Sequence, residues 1–415
     1  MPFFSGFTKG SAGSGVGVRP NQRCKMNDRA SEAQADGRIP GVDDGRAAIG
    51  IIGLGGFGHF LLEEWSKLKE IRIVAASDED PSRSPVQMDG LRFYTDYRGL
   101  LDDPIVEIVS IATPPSTHLP MALAAIEKGK HVLIEKPVAL SAADGRRIAD
   151  AARSSGVVAT VNFMLRFDPL VEGLRKIVAA GVFGRPRRAD LRNYATQDTV
   201  PPGHWFWDRR VSGGILIEHG VHFFDMTSWI LGSSAREATG LSVWRNPEQE
   251  DRMFAAVRYQ NDVIGTYWHS FTRPMALETT TFHMAFDLGE FEVAGWIPLT
   301  ASFWGWTDAS GVAALYEHLP GIELFVEELS PFETRSSNLV YRITASVRGR
   351  AELNQPKTEV YGDLLRAMLL DVVAAVRDPS HELRVTLEDA VAALTIAEQA
   401  TDAAHRGMGA GASGR

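Results

Sequence analysis

The run Gly53-Leu54-Gly55-Gly56-Phe57-Gly58 lies between an apolar stretch, Ala48 to Leu54, and a helical stretch, Phe60 to Leu68. A strand that turns sharply into a helix through three spaced glycines has the form of a dinucleotide-binding turn. The first glycine permits the turn, the second lets the backbone approach a pyrophosphate, and the third lets the helix pack on the strand. The helix N-terminus then presents free N–H groups and the positive end of its dipole to phosphate. Ile71 to Ser77 reads as the next buried strand, and Asp78 follows it. An acid about 20 residues beyond the glycines is placed to accept from ribose hydroxyls and to repel a 2′-phosphate. Asp78 therefore favours NAD, with NADP as the alternative because Ser82 and Arg83 stand close by.

Beyond this turn, apolar β-rich runs at 106–112, 131–134 and 157–162 alternate with helical stretches at 119–128 and 142–153. Such alternation implies a parallel sheet with helices on both faces, whose ligands sit at the carboxyl ends of the strands. After Arg166 the texture changes: strand readings follow one another at 187–194, 237–244, 253–259, 263–271, 277–286 and 291–293. Gln260-Asn261-Asp262 reads as a hairpin turn. Further strands are expected near 313–316, 322–326 and 340–345, and helices at 360–377 and 387–405. The fold expected is α/β: a Rossmann-type doubly wound parallel sheet in 46–165, then an α+β domain with a large open, mainly antiparallel sheet in 166–407 that ends in helices. Residues 1–45 and 408–415 read as loose tails.

Composition narrows the partners. A formal net charge of -9 over 415 residues argues against nucleic acid or anionic membrane. No apolar run has the length that spans a bilayer. One cysteine, Cys24, excludes an internal disulfide framework and a cysteine-based metal site, and fits a cytoplasmic protein. No metal constellation is expected.

Two clusters carry chemistry. The strand His131-Val132-Leu133-Ile134 ends in Glu135-Lys136-Pro137, so Lys136 would point into the cofactor crevice, and its bond to Pro137 is a candidate cis peptide. The second cluster is Glu218-His219-Gly220-Val221-His222. In a helix, Glu218 and His222 fall at i and i+4 on one face, where a carboxylate fixes the tautomer of an imidazole and raises its basicity. His222 is then a candidate general base. His219 faces away and reads as packing.

With Glu135-Lys136-Pro137 the chain resembles the Gfo/Idh/MocA oxidoreductases. The resemblance extends through Gly53-x-Gly55-x-x-Gly58, Asp78, Ala112-Thr113-Pro114-Pro115-Ser116-Thr117-His118, Gly129 to Pro137, Arg166-Phe167-Asp168-Pro169, Gly181-Val182-Phe183-Gly184, Gly213-Gly214 and Gly220-Val221-His222. It implies NAD(P)-dependent hydride transfer on a sugar, inositol or related polyhydroxy compound, and assembly as a homodimer or homotetramer. It places the family's lysine at Lys136 and its histidine at His222, with Glu218 where many members carry Asp. Cofactor contacts are expected at Gly53, Gly55, Phe57, Gly58, Asp78, Thr113, Pro114, His118, Glu135 and Lys136; for His118 the capping of the helix it begins is the preferred reading over a ligand contact. Substrate contacts are expected at Asn162, Arg166, Trp205, Trp207, Asp208, Glu218 and His222, with loop anchoring the competing role for the aromatic segment and interdomain hydrogen bonding the competing role for Asn162 and Arg166. Two other functions share these residues: redox-neutral glycoside cleavage or elimination through a transient ketone, and a non-catalytic NAD-responsive regulator.

Overall fold

The computed structural model describes residues 45–85, 88 and 90–409. Cys24 and most of both expected tails lie outside them. Every residue of β1 (Ala47–Ile52) is buried, as a strand covered by helices on both faces must be. It pairs in parallel with β2 (Ile71–Ser77) on one side and β4 (Ile108–Ile111) on the other. With β3 (Arg92–Tyr94), β5 (His131–Ile134) and β6 (Ala159–Val161) these form a six-stranded sheet of order β3-β2-β1-β4-β5-β6. The order reverses between β1 and β4, which opens a crevice at their carboxyl ends. Helices α1 (Gly56–Trp65), α2 (Tyr97–Leu101), α3 (His118–Glu127) and α4 (Ala142–Ser155) connect the strands. Local signals set their ends: Ser141 accepts from the Asp144 N–H at the start of α4, and Gly156, in the left-handed region, stops it.

The second sheet has nine strands in the order β14-β15-β13-β12-β11-β7-β10-β9-β8. They are β7 (Pro186–Thr196), β8 (Ala235–Asn246), β9 (Gln249–Tyr259), β10 (Ile264–Arg273), β11 (Thr279–Phe286), β12 (Gly289–Ala294), β13 (Thr300–Thr307), β14 (Ile322–Ser336) and β15 (Leu339–Glu352). All its pairings are antiparallel except β7 with β10. Alternation along the strands sends Phe282, Met284, Phe291, Val293 and Phe303 inward. That inner face meets α5 (Pro169–Ala179), α7 (Val221–Leu231) and α8 (Ala309–His318); the short α6 (Arg209–Ser212) precedes α7.

Two expectations change. Residues 313–316 are not a strand but part of α8, whose cap Asp308 accepts from the Gly311 N–H at 3.0 Å. A short apolar run does not distinguish strand from buried helix, and the capping acid decides it. The final helices, α9 (Lys357–Arg377) and α10 (Leu387–Gly409), do not belong to the second sheet alone. Trp65 of α1 donates to the Leu365 carbonyl at 3.1 Å, and the Ala142 N–H of α4 donates to Glu398 at 3.0 Å, while α10 also packs on β8. They therefore fix one sheet relative to the other.

Candidate active site

The glycine turn has room for a ligand. A Cβ on Gly58 would collide with the Gly53 carbonyl oxygen, and Gly53 itself sits at φ +93°, so both positions need glycine for the turn and for helix packing. Above Gly55 and Gly56, by contrast, an added Cβ meets nothing within 4 Å. This is the open side of a helix N-terminus facing the crevice, where a pyrophosphate fits. Asp78 ends β2 beside it: its carboxylate accepts from the Leu54 N–H at 2.8 Å and pairs with Arg83 at 3.2 Å. Phe57 lies 6.4 Å from the ring of Tyr361 on α9.

At the end of β4, Thr113 accepts from the Thr117 hydroxyl at 2.7 Å. His118 neither caps α3 nor presents itself to a ligand, contrary to both expectations. It is fully buried, with Nδ1 2.7 Å from the Pro137 carbonyl oxygen and Nε2 2.8 Å from that of Thr113. It therefore lies between the two loops that border the crevice, donating its one N–H to either carbonyl according to tautomer. Burial pulls its pKa below the ordinary histidine value.

Lys136 follows β5, and its peptide bond to Pro137 is cis. Its ammonium donates to the Glu218 carboxylate at 2.6 Å and to the Glu218 carbonyl at 2.7 Å, in a pair whose side chains are 5% and 9% exposed. Glu218 belongs to a π-helical turn, Leu216–Gly220, that runs into α7. The wider turn removes the register in which residues four apart share a face. The expected Glu218–His222 pair is consequently not formed: the carboxylate is spent on Lys136, and no hydrogen bond joins the two among the described residues.

His222 is instead enclosed by Phe163 at 6.1 Å and by Trp296 at 5.0 Å, edge to face, with Nδ1 buried and unpartnered. Burial and the Lys136 charge hold its pKa well below the ordinary value, so the ring is neutral. His219 stacks on the same indole at 5.2 Å and lies 5.6 Å from His269, which burial pushes down to about 3. The packing role expected for His219 agrees with this arrangement. Trp296, in the loop between β12 and β13, was not legible as a site residue, because nothing in the sequence separates it from Trp304 or Trp306.

Several expected substrate contacts are committed elsewhere. The Arg166 guanidinium donates to Asp225 at 2.9 and 2.6 Å, to Asp389 at 3.0 Å and to the Arg384 carbonyl at 2.8 Å. It fastens α7 to α10 and the segment leading into it. Asp208 caps α6 through the Arg210 N–H at 3.0 Å and pairs with that guanidinium at 2.7 Å. Trp207 donates to the Val200 carbonyl at 2.8 Å and packs edge-on against Phe271, and Trp205 rests on His204 at 5.2 Å. Trp207 and Asp208 are thereby tied within their own loop, and Trp205 makes its ring contact with the residue before it. Asn162 does reach the site, donating to Glu135 at 2.7 Å. Among the described residues no cluster could hold a metal, and no helix is long and apolar enough to cross a membrane.

The arrangement therefore unites an anion-accepting glycine turn, a buried ammonium held by a carboxylate, and a neutral imidazole against an indole. Residues 47–163 match the model of an oxidoreductase family with an NAD-binding Rossmann fold, and residues 171–292 match the GFO/IDH/MocA C-terminal domain. The chain is 32% identical over 192 residues to the myo-inositol 2-dehydrogenase of Thermotoga maritima, covering 46% of this chain and 56% of that protein. It is 29% identical over 181 residues to the scyllo-inositol 2-dehydrogenase (NAD(+)) of Bacillus subtilis, covering 42% and 52% respectively. The chain thus spans about half the length of the curated relatives it matches. Among solved structures, the WlbA dehydrogenase from Bordetella pertussis in complex with NADH and UDP-GlcNAcA superposes with a TM-score of 0.69 at 19% identity, over 87% of this chain and 97% of that one. That likeness is one of fold.

Proposed function

The chain belongs to the Gfo/Idh/MocA oxidoreductase family, and from that premise we propose that it transfers a hydride between NAD and a carbinol carbon of a sugar, inositol or related polyhydroxy compound. The observation that carries this reading is the buried Lys136–Glu218 pair beside the neutral imidazole of His222, at the carboxyl edge of the parallel sheet.

NAD, when bound, supplies the hydride acceptor; Gly55, Gly56, Asp78, Thr113 and Glu135 would hold it. The remaining chemistry falls to the chain. Two of the three Lys136 donors are taken by Glu218, which fixes the ammonium and leaves one donor for a substrate oxygen. That positive charge stabilises the alkoxide developing on the hydroxyl. His222, neutral and with Nδ1 buried, accepts the hydroxyl proton at Nε2. Trp296 offers an apolar face to the C–H bonds of a ring substrate.

We also place the protein in the cytoplasm, on its single cysteine, and read it as a homo-oligomer. The outer face of the nine-stranded sheet exposes Leu241, Trp304, Trp306 and Phe325, which a second copy would cover. A monomer mass by light scattering would remove that assignment. The activity is tested by absorbance at 340 nm with NAD and a panel of inositols, sugars and sugar acids. NADH formation with one substrate class is expected. No signal, with NAD binding demonstrated in the same sample, would contradict net dehydrogenation and favour redox-neutral cleavage.

A further inference from the structure

The Lys136 ammonium has one carboxylate partner, yet two carboxylates are buried around it. Glu135, directly before it, is 5% exposed. Its N–H donates to the Ile111 carbonyl at 2.9 Å, which places it at the carboxyl end of β5, next to the end of β4 and Thr113. Its side chain receives the neutral Asn162 amide at 2.7 Å and no cation, because Lys136 is turned to Glu218. The Lys136 charge and the Lys136 N–H favour its ionised form, while Glu218 repels it from across the lysine. With both carboxylates ionised, Glu135, Lys136 and Glu218 together would carry one negative charge more than positive, in a place where burial penalises any uncompensated charge.

The ligand assigned to this crevice exists in two charge states. The nicotinamide ring is cationic when oxidised and neutral when reduced. We propose that Glu135 is the charge-compensating carboxylate for that ring: it is held ionised when the oxidised cofactor is bound, and is free to take up a proton when the cofactor is reduced or absent. Oxidation of an alcohol by NAD yields a ketone, NADH and one proton; His222 takes that proton from the hydroxyl and returns to its neutral form by releasing it, and the one proton is balanced by its uptake on Glu135 as the ring loses its charge. The burial that pushes its carboxyl up to about 7 is consistent with this, since the proton is then exchangeable near neutral pH. Lys136 lowers and Glu218 raises that value, and Asn162 supports the ionised form.

The inference rests on the crevice being a nicotinamide site, and the test separates the two. NAD and NADH are titrated calorimetrically into the full chain at pH 7, in two buffers of different ionisation enthalpy, which yields the protons exchanged per ligand bound. Binding of NAD should release about half a proton per site and binding of NADH about none. In Glu135→Gln the release should vanish, and the preference for NAD over NADH should fall by about tenfold, the equivalent of one pKa unit. Glu135→Asp, which keeps the charge, should restore part of both. Equal proton exchange for the two redox states would overturn the proposal, as would release that persists in Glu135→Gln. If neither nucleotide binds, the cofactor reading itself fails and this one with it.

Discussion

Removing the Lys136 ammonium tests whether the site is held as its geometry implies. In Lys136→Met the side chain keeps its approximate length but leaves the Glu218 carboxylate, 9% exposed, without its cation. Breaking a buried pair from one side costs about 3–5 kcal/mol, because the remaining charge is stranded. Loss of the 2.7 Å bond to the Glu218 carbonyl falls within that range. Replacing both partners at once, in Lys136→Met with Glu218→Gln, removes the stranded charge and should recover most of the loss. For a domain of 150–250 residues, 1 kcal/mol shifts Tm by roughly 2–4 °C, so the single variant should melt roughly 6–20 °C below the parent and the double variant close to it. Scanning calorimetry at pH 8 on the parent, both single variants and the double closes the cycle. The argument is refuted if Lys136→Met melts within about 2 °C of the double variant, since one kcal/mol or less of coupling describes a solvent-screened pair.

Other consequences follow from the same groups. Asp168 caps α5 while fully buried, and burial lifts its carboxyl from 3.8 to about 7. A raised pKa means that the fold holds this proton more tightly than the unfolded chain, so its stabilising contribution is lost as pH rises through about 7. Asp168→Asn keeps the capping oxygen and should gain stability relative to the parent as pH rises from about 4 to about 7; Tm–pH curves that stay parallel across that interval would contradict this. His222→Gln should cut turnover by about 100-fold or more if the imidazole is the base, and an unchanged rate would make His222 structural. Asp78→Ala should narrow the affinity gap between NAD and NADP, measured by fluorescence titration, and a parent that prefers NADP would overturn the cofactor assignment.

The nucleotide half of the fold was legible because its signals are local: spaced glycines, buried runs of strand length, and an acid or lysine directly after a strand. Lys136 could be placed from such signals. The site as a whole could not, since it depends on contacts between segments far apart in sequence. Glu218 was expected to serve His222 from a helical spacing, yet a π-helical turn delivers it to Lys136, 82 residues earlier. Arg166 was open between a ligand contact and interdomain hydrogen bonds; the structure shows the second, but its partners Asp225, Arg384 and Asp389 lie 59 to 223 residues away, and no pattern around Arg166 announces them. His118 and Trp296 show the same limit in opposite directions. One was a candidate cap or ligand contact that lies buried between two loops, and the other was an unremarked loop tryptophan beside His219 and His222.

The central claim is that Lys136 acts on the substrate and not on cofactor binding. The most direct test compares parent and Lys136→Ala in one preparation series, with NAD affinity by calorimetry and NADH formation at 340 nm on whichever polyhydroxy substrate the parent oxidises. The account predicts turnover lowered by orders of magnitude with NAD still bound at comparable affinity. Turnover that survives the substitution would contradict it.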